Sequence, residues 1–320
     1  MVTPVGDDLA TLRTAAGWQQ AGHRVAIATV IETWGSAPRR RGSILVIRDD
    51  GLFEGSVSGG CVEGDVITEA RALLAEGTPA RRLDYGVADE TAWQVGLACG
   101  GRISVLVQPL ADTGFPITVI DRLSAAAAAG DDVTLAIDLA SGVTRTDSTG
   151  ELLFHWPPPR RLAIIGAVHI AQALVPLAQG LGIAVTVIDP RGLFAADARF
   201  AGLDLDRRWP DEALAEWRPN AASAVVALTH DPKLDDVALA AALDSPAFYI
   251  AALGSRKNHA RRCERLATMG YDTAALARIH GPAGLDIGAA DPAEIALSIA
   301  AQLTASWRAV HPGKVAAAAA

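Results

Sequence analysis

The feature that most constrains the fold is a regular alternation of apolar strands and helical segments after residue 160. The runs LAIIGA, AVTVIDP, SAVVALTH and AFYIAAL have the length and apolar character of buried strands, and segments with helical spacing, such as DVALAAAL, separate them. Strands that alternate with helices predict right-handed crossovers and a parallel sheet covered on both faces. We therefore predict a doubly wound α/β domain in the second half of the chain.

The turn after the first of these strands has the sequence Gly166-Ala167-Val168-His169-Ile170-Ala171. In the glycine loop of a Rossmann-type domain, the first glycine makes the tight turn, the second lets the backbone touch a pyrophosphate, and the third permits close helix packing. Gly166 and Ala171 fit this pattern, but Val168 places a β-branched side chain where a phosphate would approach. The loop indicates a Rossmann-type fold and argues against NAD(P) as its ligand.

Two polar residues lie beside this loop. Asp189 ends the second strand at roughly the 20-residue spacing of the acid that binds ribose hydroxyls in dinucleotide enzymes, although it could equally cap a turn with Pro190. His169 begins the first helix, where backbone N–H groups and the helix dipole favour an anion. The alternative for His169 is a partly buried histidine bonded to the backbone.

Further polar residues follow two other strands of the predicted sheet. His230-Asp231 lies at the end of SAVVALTH, and Gly254-Ser255-Arg256 comes after AFYIAAL. Ligands of open parallel sheets bind at the carboxyl ends of the strands. We expect these loops to converge on one edge, where Arg256 could grip a phosphate or carboxylate with two N–H groups.

The first half of the chain predicts a smaller α/β domain with a mixed sheet. Arg24 to Glu32 and Ser43 to Arg48 predict a hairpin with a basic tip, which is either a solvated loop or a site for an anionic ligand. The run Pro157-Pro158-Pro159 forbids helix or central strand and suits a connector. We therefore assign residues 1–156 to the first domain, 160–310 to the second, and 311–320 to a flexible tail.

Composition limits the location and the partners of the protein. The 320 residues exceed the roughly 250–300 at which single cores stop growing, which favours two domains. A net charge of -8 without a large basic patch argues against nucleic acid. The N-terminus has acids where a signal peptide has cations, and uninterrupted apolar runs stay short of about 20 residues, so we expect a cytoplasmic protein without a membrane span.

The three cysteines are an odd number, and in a reducing compartment we interpret them as thiols. Cys61 follows two glycines and precedes a helical segment, so its thiolate would be stabilised by the helix N-terminus; the alternative is a small buried residue. Cys99 is also bracketed by glycines, but it enters a strand and could belong to the core. Cys263 lies at helical spacing and is predicted to be structural.

The spacing of the cysteines and histidines does not match a protein metal site.

Several longer motifs resemble one family over nearly the whole chain. In the first half they are TWGSAPRRRGS, GSVSGGCVEGDV around Cys61 and YGVADETAWQVGLACGG around Cys99. In the second half they are GAVHIA, VIDPRGLFA, LTHDPKLD, ALGSRKNHARR and IHGPAGLDIGAADPAEIALSI. The chain resembles the xanthine dehydrogenase accessory protein family, XdhC/CoxI, although the family usually has glycine at the position of Val168.

This resemblance implies a maturation chaperone rather than an enzyme. Such a chaperone binds the molybdenum cofactor transiently and helps to sulfurate it and insert it into a molybdenum hydroxylase of the xanthine or carbon monoxide dehydrogenase type. The implied partners are that client and a cysteine desulfurase, and a homodimer is the commonest soluble assembly. The alternatives are an NAD(P)-dependent oxidoreductase and an adaptor that docks the client without a cofactor.

The candidate site residues combine the resemblance with the positions described above. The candidate thiols are Cys61, as a contact to sulfur or molybdenum, and Cys99. The candidate cofactor-binding residues are Ser58, Gly59, Gly60, Glu63, Gly100, Gly166, Ala167, His169, Asp189, Arg191, His230, Asp231, Gly254, Ser255 and Arg256.

Overall fold

The structure is a computed structural model, and it describes residues 8–35, 39–86, 101–147, 149–192, 200 and 202–310. The chain divides into two units, Met1–Pro158 and Pro159–Ala320. The division falls inside the proline run. The segment 311–320, predicted to be a flexible tail, lies outside the described residues.

The described residues of the first unit form two sheets and three helices. Its elements, in chain order, are α1 (Asp8–Gln20), β1 (Val25–Trp34), β2 (Ile44–Arg48), β3 (Phe53–Gly55), α2 (Glu63–Glu76), β4 (Arg81–Tyr85), β5 (Arg102–Pro109), α3 (Ile117–Ala129), β6 (Val133–Asp138), β7 (Val143–Arg145) and β8 (Leu152–Trp156). The strand orders are β3-β2-β1-β5-β4 and β7-β6-β8. The predicted hairpin is confirmed, since β1 and β2 pair antiparallel.

Helices cover both faces of the larger sheet. Residues of α1 and α3, such as Leu12 and Leu123, pack with Ile27 against one face. Residues of α2, such as Leu73, pack with Val105 against the other face. The α/β class is confirmed, but the described strand pairs of this unit are all antiparallel rather than mixed. Short connections explain the difference for pairs such as β1 and β2, because a parallel pair needs a crossover of a dozen or more residues.

The second unit is built on one parallel sheet. Its elements are β9 (Arg161–Ile165), α4 (His169–Gly180), β10 (Ala184–Ile188), β11 (Asp204–Asp206), α5 (Pro210–Trp217), β12 (Ser223–Ala227), α6 (Pro232–Leu243), β13 (Tyr249–Ala252), α7 (Arg256–Thr268), α8 (Thr273–Leu276), β14 (Ile279–His280) and α9 (Pro292–Val310). The strand order is β11-β10-β9-β12-β13-β14, and every pair is parallel. This order is that of a doubly wound dinucleotide-binding sheet.

Alternate side chains of the strands enter two separate cores. Leu162 and Ile164 pack with α4 and α9 on one face, whereas Ala163 and Ile165 pack with α5 and α6 on the other. The predicted doubly wound architecture is thereby confirmed. The longest described helix, α9, has 19 residues, and no described helix is long and apolar enough to cross a membrane.

Helix α7 begins earlier than the sequence predicts, and this changes the setting of Arg256. The sequence predicts helical spacing at Cys263 and a polar loop at 254–256, but Arg256 is the first residue of a 13-residue helix. The helix is polar nearly all round, and Arg262 and Leu266 are its only buried residues among those described. An apolar stripe is the main signal of a surface helix, so a helix without one is hard to detect in a sequence.

Candidate functional site

The loop before α2 is wrapped around the carboxylate of Glu63. One oxygen, Oε1, accepts hydrogen bonds from the Ser56 hydroxyl at 2.7 Å and from the N–H groups of Val57, Ser58 and Gly59 at 3.1, 2.8 and 3.0 Å. The other, Oε2, accepts from the Ser58 hydroxyl and from the Gly60 N–H at 2.9 Å. A carboxylate thus fills a nest of backbone N–H groups of the kind that binds anions.

The hydrogen bonds keep Glu63 ionised although it is buried. Burial by itself raises the pKa, but the hydrogen bonds from Ser58 and Ser56 outweigh it and lower the pKa of Glu63 to about 2. Glu63 was predicted to contact a cofactor. Its oxygens are directed at the loop instead, so the geometry favours a role in shaping the loop.

The same loop fixes the backbone of Cys61. The Ser58 hydroxyl oxygen accepts hydrogen bonds from the N–H groups of Cys61 at 3.0 Å and Val62 at 2.9 Å. Cys61 is partly exposed and packs against the core cluster beneath α2. It lies two residues before the first residue of α2, as the sequence predicted. The predicted site residues Cys99 and Gly100 lie outside the described residues.

The second unit brings three predicted loops to one edge of its sheet. Strand β9 pairs with β12, and β12 pairs with β13, so their carboxyl ends are adjacent. A Cβ atom on Gly166 would lie 2.6 Å from Cγ2 of Thr229, and one on Gly254 would lie 3.9 Å from Nδ1 of His230. The first distance is shorter than real Cβ contacts allow, so only glycine fits at position 166. We call these three loops, 166–169, 229–231 and 254–256, the strand edge.

Asp189 is held by protein groups rather than open to a ribose. Its side chain is fully buried, and it accepts hydrogen bonds from the N–H of Ala167 at 2.8 Å and the N–H of Arg191 at 2.9 Å. The Arg191 guanidinium donates two more, at 2.9 and 2.8 Å. Burial opposes ionisation, but these hydrogen bonds lower the pKa of Asp189 below its usual value. A ribose would have to displace them to reach the carboxylate.

The start of α4 differs from a dinucleotide-binding loop at Val168. Val168 occupies the N-cap with an extended backbone and forms no side-chain cap hydrogen bond. Its side chain is partly buried and packs against the core cluster on the α4 face. His169 follows as the first residue of the helix and is exposed. The start of α4 therefore has a valine side chain at position 168, in place of a bare glycine backbone, and an exposed imidazole at position 169.

Two predicted ligand residues of the strand edge cap helices. The Asp231 carboxylate accepts a hydrogen bond from the Lys233 N–H at 3.0 Å, at the N-cap of α6. The Ser255 hydroxyl accepts one from the Asn258 N–H at 3.2 Å, at the N-cap of α7. His230 and Arg256 are exposed at the same edge. The side chains of His230 and Arg256, like that of His169, are thus accessible to solvent and ligands.

Within the described ranges, no group of three or more His, Cys, Asp and Glu side chains is arranged to hold a metal ion. Cys263 lies in α7, partly buried, with its Sγ 3.6 Å from Nε2 of His259. Burial raises the pKa of the Cys263 thiol, in spite of the nearby Arg262. A thiol with a raised pKa is a poor nucleophile at neutral pH, which fits the structural role predicted for Cys263.

Two family models match the chain, one in each unit. Residues 18–86 match the model described as the XdhC and CoxI family, and residues 162–303 match the model described as the XdhC Rossmann domain. The chain is 30% identical to the molybdenum cofactor insertion chaperone PaoD of Escherichia coli K12, over 93% of this chain and 88% of that protein. The chain belongs to the XdhC and CoxI family.

Two further relatives extend this family likeness. A protein of Bacillus subtilis 168 described as a probable xanthine dehydrogenase subunit is 27% identical over 87% of this chain and 91% of its own length. A crystal structure described as a xanthine dehydrogenase from Bacillus halodurans has 26% identity and a TM-score of 0.77, and the match covers 94% of this chain and 96% of that one. The likeness therefore spans both units in sequence and in structure.

Sequence reasoning missed two buried residues at the strand edge of this XdhC and CoxI family chain. Asp235 accepts hydrogen bonds from the Thr229 hydroxyl at 2.6 Å, the Thr229 N–H at 3.3 Å and the His230 N–H at 3.1 Å. Arg262 lies 3.4 Å from Asp235 and donates to the Leu253 carbonyl at 3.0 Å. Asp235 follows Asp231 by one helical turn, which is a detectable signal, whereas Arg262 is one of five cations in α7 and has none.

Proposed function

We propose that this protein is a molybdenum cofactor-binding maturation chaperone, which inserts the cofactor into a molybdenum hydroxylase. The observation that supports this most directly is the likeness to PaoD, a molybdenum cofactor insertion chaperone, over 93% of the chain. The Bacillus subtilis relative, by its description, points to the xanthine dehydrogenase type of client. The function rests on relationship and on the site chemistry together, because a fold alone does not define function.

The Cys61 loop offers the donor chemistry that a molybdenum cofactor needs. The thiol is partly exposed, and a Cβ atom built on the neighbouring Gly60 would have no described atom within 4 Å beyond its chain neighbours. Thiolate is a soft ligand suited to metal or sulfur. When bound, the cofactor supplies the molybdenum centre of the client enzyme. Cys61 would hold the metal or its sulfur, and the Glu63 and Ser58 contacts would hold Cys61 in place.

The strand edge offers hydrogen-bond donors for the anionic end of the cofactor. His169 and Arg256 stand at the first positions of two helices of 12 and 13 residues, and His230 lies between them in the strand order. Helix N-termini and cationic side chains both stabilise phosphate. We assign the phosphate-bearing tail of the cofactor to this edge. The engaged Asp189 and the bulky Val168 weigh against an NAD(P)-dependent oxidoreductase.

The test is retention of pterin by the purified chain. The protein is incubated with molybdenum cofactor and separated from free cofactor, and the pterin is then oxidised, extracted and measured by fluorescence. Cys61→Ser should lose most of the pterin and most of the activation of a client hydroxylase. The matched control is Cys263→Ser, which changes the other described cysteine and should retain both. Full client activation by Cys61→Ser would contradict the thiol role.

Two outcomes would move the function to another class. A wild-type chain that activates its client but retains no pterin would be an adaptor that docks the client. A chain that binds NAD(H) or NADP(H) and retains no pterin would be an oxidoreductase.

We place the chaperone step in the cytoplasm, with a cysteine desulfurase as the sulfur source and a homodimer as the working assembly. Light scattering of the purified chain, alone and with either partner, tests the assembly.

A further inference from the structure

His230 has a backbone conformation that requires support. Its φ is +63°, and Arg218 is the only other non-glycine residue with positive φ among the described ranges. The left-handed region is uncommon for residues other than glycine and occurs where the surroundings impose it, often at functional sites. Arg218 caps the end of α5, which is an ordinary reason for such a conformation. His230 caps no helix end, so its conformation has another cause.

The carboxylate of Asp235 holds His230 in this conformation. It is 1% exposed and accepts hydrogen bonds from the His230 N–H at 3.1 Å, the Thr229 N–H at 3.3 Å and the Thr229 hydroxyl at 2.6 Å. The consecutive backbone N–H groups of Thr229 and His230 thus both donate to a side chain of α6. The His230 side chain is left exposed at the strand edge.

Arg262 connects this loop to the next one. It is 4% exposed, lies 3.4 Å from Asp235, and donates to the carbonyl of Leu253, the residue before Gly254. Its Nε and Nη1 atoms are buried and have no hydrogen-bond partner among the described residues. A buried guanidinium with unpaired donors adds little net stability, because the desolvation cost offsets the ion pair. Stability alone therefore does not explain why an arginine occupies this position.

We propose that Asp235 and Arg262 are positioning residues for ligand binding at the strand edge. Together they hold His230 beside the loop 254–256, so that the imidazole and the Arg256 side chain act on the same phosphate group. Gly254 maintains the space, because a Cβ atom there would lie 3.9 Å from Nδ1 of His230. The inference rests on the proposed function only for the identity of the ligand, a phosphate ester.

The second ion pair between α6 and α7 provides a matched control. Asp236 binds Arg265 through two hydrogen bonds, at 2.5 and 2.9 Å, and neither residue is bonded to the strand edge in the described structure. Asp235→Asn and Asp236→Asn therefore each remove one acid from the same helix pair. Only Asp235→Asn alters the side chain that accepts the hydrogen bond from the His230 N–H.

The test uses inorganic pyrophosphate as the probe and the full chain labelled at histidine. Pyrophosphate should shift the imidazole signal of His230 in the wild type. Asp235→Asn and Arg262→Lys should each move that signal in the free protein and weaken pyrophosphate binding about tenfold, the effect expected for one charge-assisted hydrogen bond. Asp236→Asn should leave the His230 signal unchanged and the affinity for pyrophosphate within twofold of the wild type. Arg262→Lys keeps a buried cation, so it serves if Asp235→Asn does not fold.

Three results would overturn this inference: wild-type affinity in both Asp235→Asn and Arg262→Lys, an equal loss in Asp236→Asn, or a wild-type chain whose His230 signal ignores pyrophosphate. Pterin retention separates the inference from the proposed function. If the wild type retains no pterin but the pyrophosphate pattern holds, the chaperone role fails and the positioning pair stands. If Asp235→Asn and Arg262→Lys both retain pterin and bind pyrophosphate with wild-type affinity, the chaperone role stands and the positioning pair fails.

Discussion

The guanidinium of Arg191 closes onto the carboxylate of Asp189 through two hydrogen bonds, Nε to Oδ1 at 2.9 Å and Nη2 to Oδ2 at 2.8 Å. Asp189 directly follows β10, where dinucleotide enzymes have the acid that binds the ribose. The backbone N–H of Ala167, in the glycine loop, is bonded to the same carboxylate. Asp189 thus joins the glycine loop to Arg191, and its oxygens are used within the protein.

We expect NAD(H) and NADP(H) to leave the melting temperature of the protein unchanged at millimolar concentration. The reason is that a ribose hydroxyl would have to replace charge-assisted bonds to Asp189, which are worth about 1.5–3 kcal/mol each. Differential scanning fluorimetry measures the effect, and inorganic pyrophosphate serves as the positive comparison. A clear stabilisation by either nucleotide would show that the Asp189 and Arg191 pair opens for a ligand.

Replacement of Glu63 by glutamine should destabilise the first unit in a pH-dependent manner. The folded-state pKa of about 2 lies below the ordinary value of 4.5, so ionised Glu63 stabilises the fold above pH 4.5 and loses this effect as the pH falls toward 2. At neutral pH we expect Glu63→Gln to cost roughly 3 kcal/mol, with the difference from wild type shrinking between about pH 4.5 and 2.

Chemical denaturation at several pH values measures this difference. The control is Glu76→Gln on the same helix, whose side chain is 52% exposed and paired with Arg81. An exposed ion pair contributes about 0–1 kcal/mol, so this variant should change little at any pH. If the Glu63→Gln difference does not depend on pH, the carboxylate is not held as the loop geometry indicates.

Gly166→Ala should destabilise the second unit by about 2–4 kcal/mol, from the positive φ and from overpacking. The φ of Gly166 is +109°, and the new Cβ would lie 2.6 Å from Cγ2 of Thr229. Thr229→Ser removes that methyl group and keeps the hydroxyl that binds Asp235. The double variant should therefore recover part of the loss.

Thermal or chemical unfolding of the two single variants and the double variant gives the coupling directly. Gly180→Ala is the control, because a Cβ on this helical glycine would meet no described atom within 4 Å outside its own helix backbone and chain neighbours. It should be neutral or stabilise by about 0.4–1 kcal/mol. Strictly additive effects of Gly166→Ala and Thr229→Ser would contradict the close approach of the two loops.

Asp231 can be tested as a helix cap against its predicted role as a ligand. Asp231→Ala should cost about 1 kcal/mol, because the Lys233 N–H loses its acceptor, whereas Asp231→Asn should retain most of the stability. Both variants should retain pterin as the wild type does. If Asp231→Asn keeps its stability but loses pterin, the carboxylate contacts the cofactor as well as capping α6.

Much of the second unit could be predicted from its sequence because its strands and most of its helices form by local rules. Apolar runs of strand length, such as Ser223–Ala227, alternate with helical spacing, and parallel strands require the crossover topology that was found. The start of helix α7 at Arg256 was not predicted, because Arg256–Thr268 has no apolar stripe. In the first unit the β1–β2 hairpin was predicted, whereas the antiparallel pair of β1 and β5 was not, because these strands are distant in sequence.

The sequence by itself determined the two α/β units, the family, the glycine turn at Gly166 and the position of Cys61 before a helix. The tertiary structure decided which polar side chains are available to a ligand. Glu63 and Asp189 are ordinary acids in the sequence, and their engagement depends on donors that only the folded chain brings within 3 Å or so. Whether a buried charge is satisfied depends on groups from several elements, and a sequence pattern reports only the periodicity of one element at a time.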